Sequence, residues 1–121
     1  EAAHRKPTIV LLQTAGAVLT PWRQDVAAVL NMFHGGEQTG NAWASILFGD
    51  HSPAGKLAVT FPASESDSIE PTRGFTSNYM EELFTSYRSN VMQAAYPFGH
   101  GMSYTQFQYS KPVVMLGRGC A

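Results

Sequence analysis

The 121-residue chain reads as part of an α/β fold, an open and mostly parallel sheet with helices on both faces, an α/β/α sandwich. Three observations predict it. Thr8 to Thr14, Thr-Ile-Val-Leu-Leu-Gln-Thr, is a β-branched and apolar run without period-two alternation, which suits a strand covered on both faces of a parallel sheet. A second apolar run, Ala27 to Phe33, could continue a preceding helix or form a second buried strand, and the glycines of the following His34-Gly-Gly-Glu-Gln-Thr-Gly40 favour the strand. After that loop, Asn41 to Phe48 places apolar residues at 43, 46 and 47 and stops at Gly49, the pattern of an amphipathic helix with a glycine terminator.

The remaining elements follow in order. Thr20 before Pro21 offers an N-cap and a first helical residue, predicting a short helix between the two apolar runs. Asp50 to Gly55 is dense turn chemistry. Lys56 to Phe61 then alternates Leu57, Val59 and Phe61 with Lys56, Ala58 and Thr60, as a half-buried strand ended by Pro62 would. From Ala63 to Asn78 the serine, acid, proline and glycine content predicts a long surface loop of functional or interfacial use. Tyr79 to Arg88 reads as a short helix or strand leading into Tyr96-Pro-Phe-Gly-His-Gly-Met-Ser-Tyr-Thr105. In that last stretch Pro97 and the glycines at 99 and 101 impose a specific irregular path with aromatics around it.

Composition narrows the function classes. Net charge is −1 without a basic block, which removes the electrostatic footprint of a nucleic-acid binder. Charged residues are 14% of the chain against about 25% in an average domain, so part of the surface is expected to be covered by another domain or chain. No apolar run approaches the length of a membrane span, no secretory leader pattern opens the chain, and the one cysteine, Cys120, leaves the compartment open. Both ends read as cuts through a longer polypeptide.

The chemistry-bearing residues are few. The loop pattern Gly-Gly-Glu-x-x-Gly lacks the Lys-Ser/Thr of a P-loop, and Glu37 would repel a phosphate. A carboxylate there suits hydroxyl-rich ligands or a structural bond to the loop's own N–H groups, with the structural role favoured. His4, His34, His51 and His100 have no metal-ligand spacing. His100, between two glycines, divides evenly between structural hydrogen bonding and contact with a site. Ser103 lacks a nucleophile-elbow context, and the adjacent Glu81 and Glu82 would diverge in a helix or strand.

Four ordered motifs carry a resemblance. Thr8 to Trp22, Gly35 to Ala42, Leu47 to Pro62 and Tyr96 to Thr105 closely resemble the C-terminal α/β sandwich domain of glycoside hydrolase family 3, β-glucosidase type, across residues 7 to 110. The resemblance implies residues 1–110 as that domain, incomplete at its N-terminal side, and residues 111–121 as the start of a linker or fibronectin type III-like β-sandwich. It further implies a retaining exo-glycosidase that releases terminal β-D-glucose, without a cofactor, and a secreted or periplasmic setting. The catalytic pair would be an aspartate nucleophile on an N-terminal barrel domain and a glutamate acid/base upstream of Thr8, with Glu1 at a helix end. Both would lie outside this chain, whose contribution would be cleft wall and interdomain contacts. Gly36, Glu37 and His100 are the residues expected to line the cleft or seam. A non-catalytic carbohydrate-binding or interdomain module that keeps the fold is the alternative. Two departures bear on it: family glycines are replaced by Glu82 and Ser86 in Tyr79-Met-Glu-Glu-Leu83 and Thr85-Ser-Tyr-Arg88, adding strain if those positions need positive φ. Ala17 and Ala58 similarly stand where prolines are frequent.

Overall fold

A computed structural model of the protein describes residues 6–69, 74–76 and 79–114. The first apolar run forms β1 (Ile9–Gln13) and the second forms β2 (Ala28–Met32). They pair in parallel from Ile9 opposite Ala28 to Gln13 opposite Met32. Helix α1 follows at Thr39–Leu47. A short antiparallel pair, β3 (Phe61–Pro62) with β4 (Ala94–Tyr96), completes the strands, with a register irregularity at Phe61 and Pro62. Among the described residues the order is thus strand, crossover, strand, helix, then a separate two-stranded sheet. This is consistent with an α/β domain.

Several elements differ from the sequence prediction. Pro21 does not start a helix: residues 21–24 form a turn, with Arg23 N–H donating to Thr20 O at 3.1 Å and Asp25 N–H to Trp22 O at 2.9 Å. Thr20 is fully buried and its hydroxyl has no hydrogen-bond partner among the described residues, so it does not cap anything. The chain instead turns back at once, and Ala27 N–H reaches Thr8 O at 2.8 Å to start the parallel pairing. β1 alternates exposed and half-buried residues, with Ile9 51% exposed; its faces are not both covered by the described residues. The strand expected at 56–61 shrinks to Phe61–Pro62, and Pro62 lies inside it rather than ending it. Thr60, expected on the solvent face, is buried. Tyr79 to Arg88 is neither helix nor strand but a turn followed by one 3-10 turn at Ser86–Arg88.

α1 matches its prediction closely. It ends with Phe48 N–H on Ala44 O (2.9 Å) and Gly49 N–H on Ile46 O (3.1 Å), and Gly49 takes φ +84°. Its entry is tied by Thr39, whose N–H and hydroxyl both donate to Gly36 O. Gly35 permits this closure, since a Cβ there would collide with the Thr39 hydroxyl and the Met32 sulfur. The long loop after Pro62 is organised by a 3-10 turn at Glu65–Asp67 with a Ser64–Asp67 capping box; residues 70–73, 77 and 78 of that predicted loop lie outside the described residues.

The core centres on Phe61, at 1% exposure, with the adjoining Pro62 also buried. Aromatic edges meet it from both sides: Phe33 at 6.4 Å and Tyr96 at 6.1 Å between centroids, both edge-on. Tyr96 in turn packs on the His100 ring at 5.3 Å. One line of rings therefore joins the end of β2, where the glycine loop begins, to the corner after β4.

That corner is a turn held at both ends. His100 N–H donates to Pro97 O at 3.0 Å, and Gly99 has φ +78°, a value for which glycine is the low-cost residue. Gly99 N–H donates to Leu57 O and Leu57 N–H to His100 O, each at 2.8 Å. Lys56 Nζ donates to Gly101 O. Beyond it, Tyr104 N–H reaches Ser52 Oγ and Tyr104 O–H reaches the Ile46 carbonyl near the end of α1, both at 3.0 Å. The Tyr96–Thr105 motif thus fastens the 52–57 segment and α1 to the second sheet.

Two predictions follow from this packing. A Cβ at Gly101 would collide with the Gly55 carbonyl and lie 3.3 Å from Lys56 Cα, both backbone atoms, whereas at Gly40 in α1 nothing lies within 4 Å. Gly101→Ala is expected to destabilise by about 1–3 kcal/mol and Gly40→Ala to stabilise by about 0.5–1 kcal/mol, read by chemical denaturation; equal effects would contradict the packing described. The Asp67 carboxylate accepts from Ser64 Oγ at 2.5 Å and from the N–H groups of Gln93 at 2.9 Å and Ser64 at 3.2 Å. The Ser64 hydroxyl and then the Gln93 N–H hold its pKa below the ordinary carboxylate value. A depressed acid stabilises the fold fully above its unfolded pKa, about 3.9, and loses that contribution as pH falls through the lower folded value. Asp67→Asn should therefore narrow its stability gap to the parent as pH drops below about 4, measured by thermal melts across pH.

Candidate functional site

The glycine loop and the 97–101 corner carry the predicted site residues. Gly36 has φ +70°, which turns the chain into α1, and its carbonyl is the acceptor for Thr39. Glu37 is exposed on the turn just before α1. The bond from Glu37 to the loop's own N–H groups, the favoured sequence reading, is not among the described hydrogen bonds; Thr39 and the Asn41–Gln38 side-chain bond at 2.6 Å tie the loop instead. A longer and less directional side chain is superseded by a hydroxyl two residues further on, leaving Glu37 exposed.

His100 is exposed, with its backbone N–H and C=O used in the corner and its ring against Tyr96. Its ring nitrogens make no described hydrogen bond. The backbone half of the even division is thus realised as fold-making, while the ring is left free to meet another group. No described hydrogen bond joins the glycine loop to His100. What relates them is the Phe33–Phe61–Tyr96–His100 line of rings.

The other candidates separate clearly. His51 Nδ1 pairs with Ser45 Oγ at 2.6 Å, and its N–H donates to Ser45 O at 3.2 Å; this is a closure at the C-terminal end of α1. Ser103 bonds locally to Thr105. No cluster of three His, Cys, Asp or Glu residues that could hold a metal ion occurs among the described residues. His4, Glu1 and Cys120 lie outside the described residues, as do residues 115–121 of the predicted linker. Asp67, with its depressed pKa, is unsuited to act as a general acid near neutral pH, which needs a raised one.

Glu82 and Ser86, the two positions read as departures from glycine, occupy left-handed backbone. Glu82 has φ +49° and Ser86 φ +50°, a conformation costing a non-glycine residue roughly 1–2 kcal/mol. Ser86 recovers part of this through its side chain. Its Oγ accepts from Thr60 N–H at 3.1 Å and donates to Thr60 Oγ1 at 3.2 Å, bonds worth about 0.5–1.5 kcal/mol each. Glu82 makes no described side-chain bond. Two cavities of about 240 Å³ each adjoin the Ser86–Thr60 contact. Both are lined by Thr60, Ser86 and Met92; one continues to Tyr87 and Phe98, the other to Val59 and Ile69. Sequence reading located the strained positions through the missing glycines, but no local signal pointed to Thr60, 26 residues away, as the partner of Ser86.

Large apolar side chains are widely exposed, including Phe75, Met80, Phe48 and Tyr109, and within the 79–87 segment Tyr79, Leu83, Phe84 and Tyr87. Patches of this kind mark interaction surfaces.

The profile of the Glycosyl hydrolase family 3 C-terminal domain matches residues 1–104. A beta-glucosidase of Rhizobium radiobacter is 39% identical over 86% of the chain, and the thermostable beta-glucosidase B of Acetivibrio thermocellus is 39% identical over 84%. The chain spans 14% of the length of each of these relatives. Among solved structures it superposes on DesR, a beta-glucosidase from Streptomyces venezuelae in complex with D-glucose, with TM-score 0.75, 38% identity and 93% of this chain covered against 16% of that one. The beta-D-glucoside glucohydrolase of Trichoderma reesei gives TM-score 0.74 at 32% identity, covering 90% of this chain and 16% of that one. With the ordered motifs, the parallel β1–β2 pair feeding a glycine loop and helix, and these matches in agreement, the chain belongs to glycosyl hydrolase family 3 and contains its C-terminal domain sequence.

Proposed function

We propose that the chain is part of a retaining β-glucosidase that hydrolyses terminal non-reducing β-D-glucosyl residues, and that its contribution is cleft wall and interdomain contact rather than the catalytic carboxylates. The observation that carries this reading is the family match over residues 1–104 by a chain that spans 14% of its β-glucosidase relatives. Retention needs two carboxyl groups about 5–5.5 Å apart, one attacking the anomeric carbon and one protonating the leaving oxygen. On this reading an aspartate on an N-terminal barrel domain of the same polypeptide and a glutamate upstream of Thr8 supply that pair. No cofactor enters the chemistry.

Gly36, Glu37 and His100 are the proposed cleft-lining groups. The exposure of the Glu37 carboxylate and of the His100 ring supports this, because each backbone is committed to the fold while the side chain is not. A carboxylate and an imidazole are both suited to sugar hydroxyls. The exposed apolar side chains of residues 79–87 support a covered seam in the whole protein, and the low charged fraction agrees. The second reading, a non-catalytic carbohydrate-binding or interdomain module, draws support from Glu82 and Ser86, which hold left-handed backbone at positions where the family resemblance implies glycine.

Hydrolysis of an aryl β-glucoside separates the two. The intact polypeptide is expected to turn over and the 121-residue chain alone to give no rate above background; binding of the glucoside by the intact protein without turnover would favour the second reading. In the intact protein, Glu37→Gln and His100→Ala are each expected to lower kcat/KM by about tenfold, mainly through KM, as loss of a binding contact does. Abolition of turnover in the isolated chain by Glu37→Gln would overturn the assignment of the catalytic pair to other parts of the polypeptide.

A further inference from the structure

We propose that Ser86 is a latch: its hydroxyl fastens the segment from Tyr79 to Ser89 against Thr60, and its release merges the two cavities beside that contact into one cleft. The inference stands on the hydrogen bonds and backbone angles within this chain. Within the segment the backbone bonds are all short-range, Glu82 to Tyr79, Phe84 to Glu81, Arg88 to Thr85 and Ser89 to Ser86. The described hydrogen bonds from this segment to distant residues are the two between Ser86 and Thr60. One further attachment is the tilted contact of the Tyr87 and Phe98 rings, 4.7 Å between centroids at 44°, between side chains that both remain substantially exposed in this chain.

Strain favours opening. Glu82 and Ser86 both hold left-handed backbone in the latched state, and a segment freed from Thr60 could relax both. Segments with few long-range bonds open locally, well below the free energy of global unfolding. Thr60, Ser86 and Met92 line both cavities, so the two meet at the Ser86–Thr60 contact. Each cavity at about 240 Å³ is below the roughly 300–1,000 Å³ of small-molecule sites, and the merged cleft falls within that range.

Amide hydrogen exchange and peroxide oxidation of the intact protein test the latch. Ser86→Ala keeps the strain and removes the hydroxyl, and is expected to speed exchange of the Thr60 amide by about tenfold or more, the effect of losing one to two hydrogen bonds. The Leu57 and Ala63 amides, bonded to His100 and Gln93, should not change. Met92 sulfoxide formation should rise several-fold while Met80 and Met102 are unaffected. Ser86→Gly removes strain and hydroxyl together and covers the case in which the alanine variant fails to fold; it should deprotect Thr60 while leaving the 82–89 turn amides as protected as in the parent. Unchanged exchange at Thr60 in either variant, a uniform rise over all amides, or unchanged Met92 oxidation would overturn the proposal.

Discussion

Burial of Phe61 is the constraint on which the rest depends. It is the side chain through which the two sheets communicate, taking Phe33 from the end of β2 on one side and Tyr96 from β4 on the other. Removing such a ring from water contributes about 1.5–3 kcal/mol, and edge-on aromatic pairs add about 0.5–1.5 kcal/mol each. These terms are large compared with the few strand hydrogen bonds of a two-residue β3. Because Tyr96 also carries the His100 ring, the same packing sets where the corner's exposed imidazole sits.

Around that centre the chain uses backbone closure where side chains are too few. The Tyr96–Thr105 motif makes reciprocal bonds to Leu57, closes on Gly101 through Lys56, and reaches the last turn of α1 through Tyr104. The glycine loop is closed by Thr39 on Gly36. Both of these segments therefore spend their main-chain groups on the fold and present Glu37 and His100 outward. The segment from Tyr79 to Ser89 does the reverse. It holds strained backbone, exposes its apolar side chains, and is tied to distant residues through one hydroxyl and one aromatic contact.

Much of the fold was legible from residue type and spacing. The two apolar runs became β1 and β2 within a residue of their predicted ends, and Gly49 terminated α1 as expected. Glu82 and Ser86, read as departures from family glycines, were expected to carry strain if those positions needed positive φ, and both have it. Failures share a cause: Thr20-Pro21 has valid cap chemistry but the chain turns back immediately to pair Ala27 with Thr8, and the alternation at 56–61 is overridden because Leu57 pairs with the corner rather than with a neighbouring strand. In both cases a long-range hydrogen bond outweighed a local preference.

The sequence alone determined the parallel strand pair, the glycine loop with its helix, and the family, because these rest on short-range periodicity, on φ-restricted residues and on ordered motifs. Only the tertiary structure decided that Phe61 is the hub, that Ser86 bonds Thr60, and that Thr39 rather than Glu37 closes the loop. Those choices depend on which groups meet across the fold, and a hydroxyl or a ring carries no mark in the sequence of the partner that packing will bring to it.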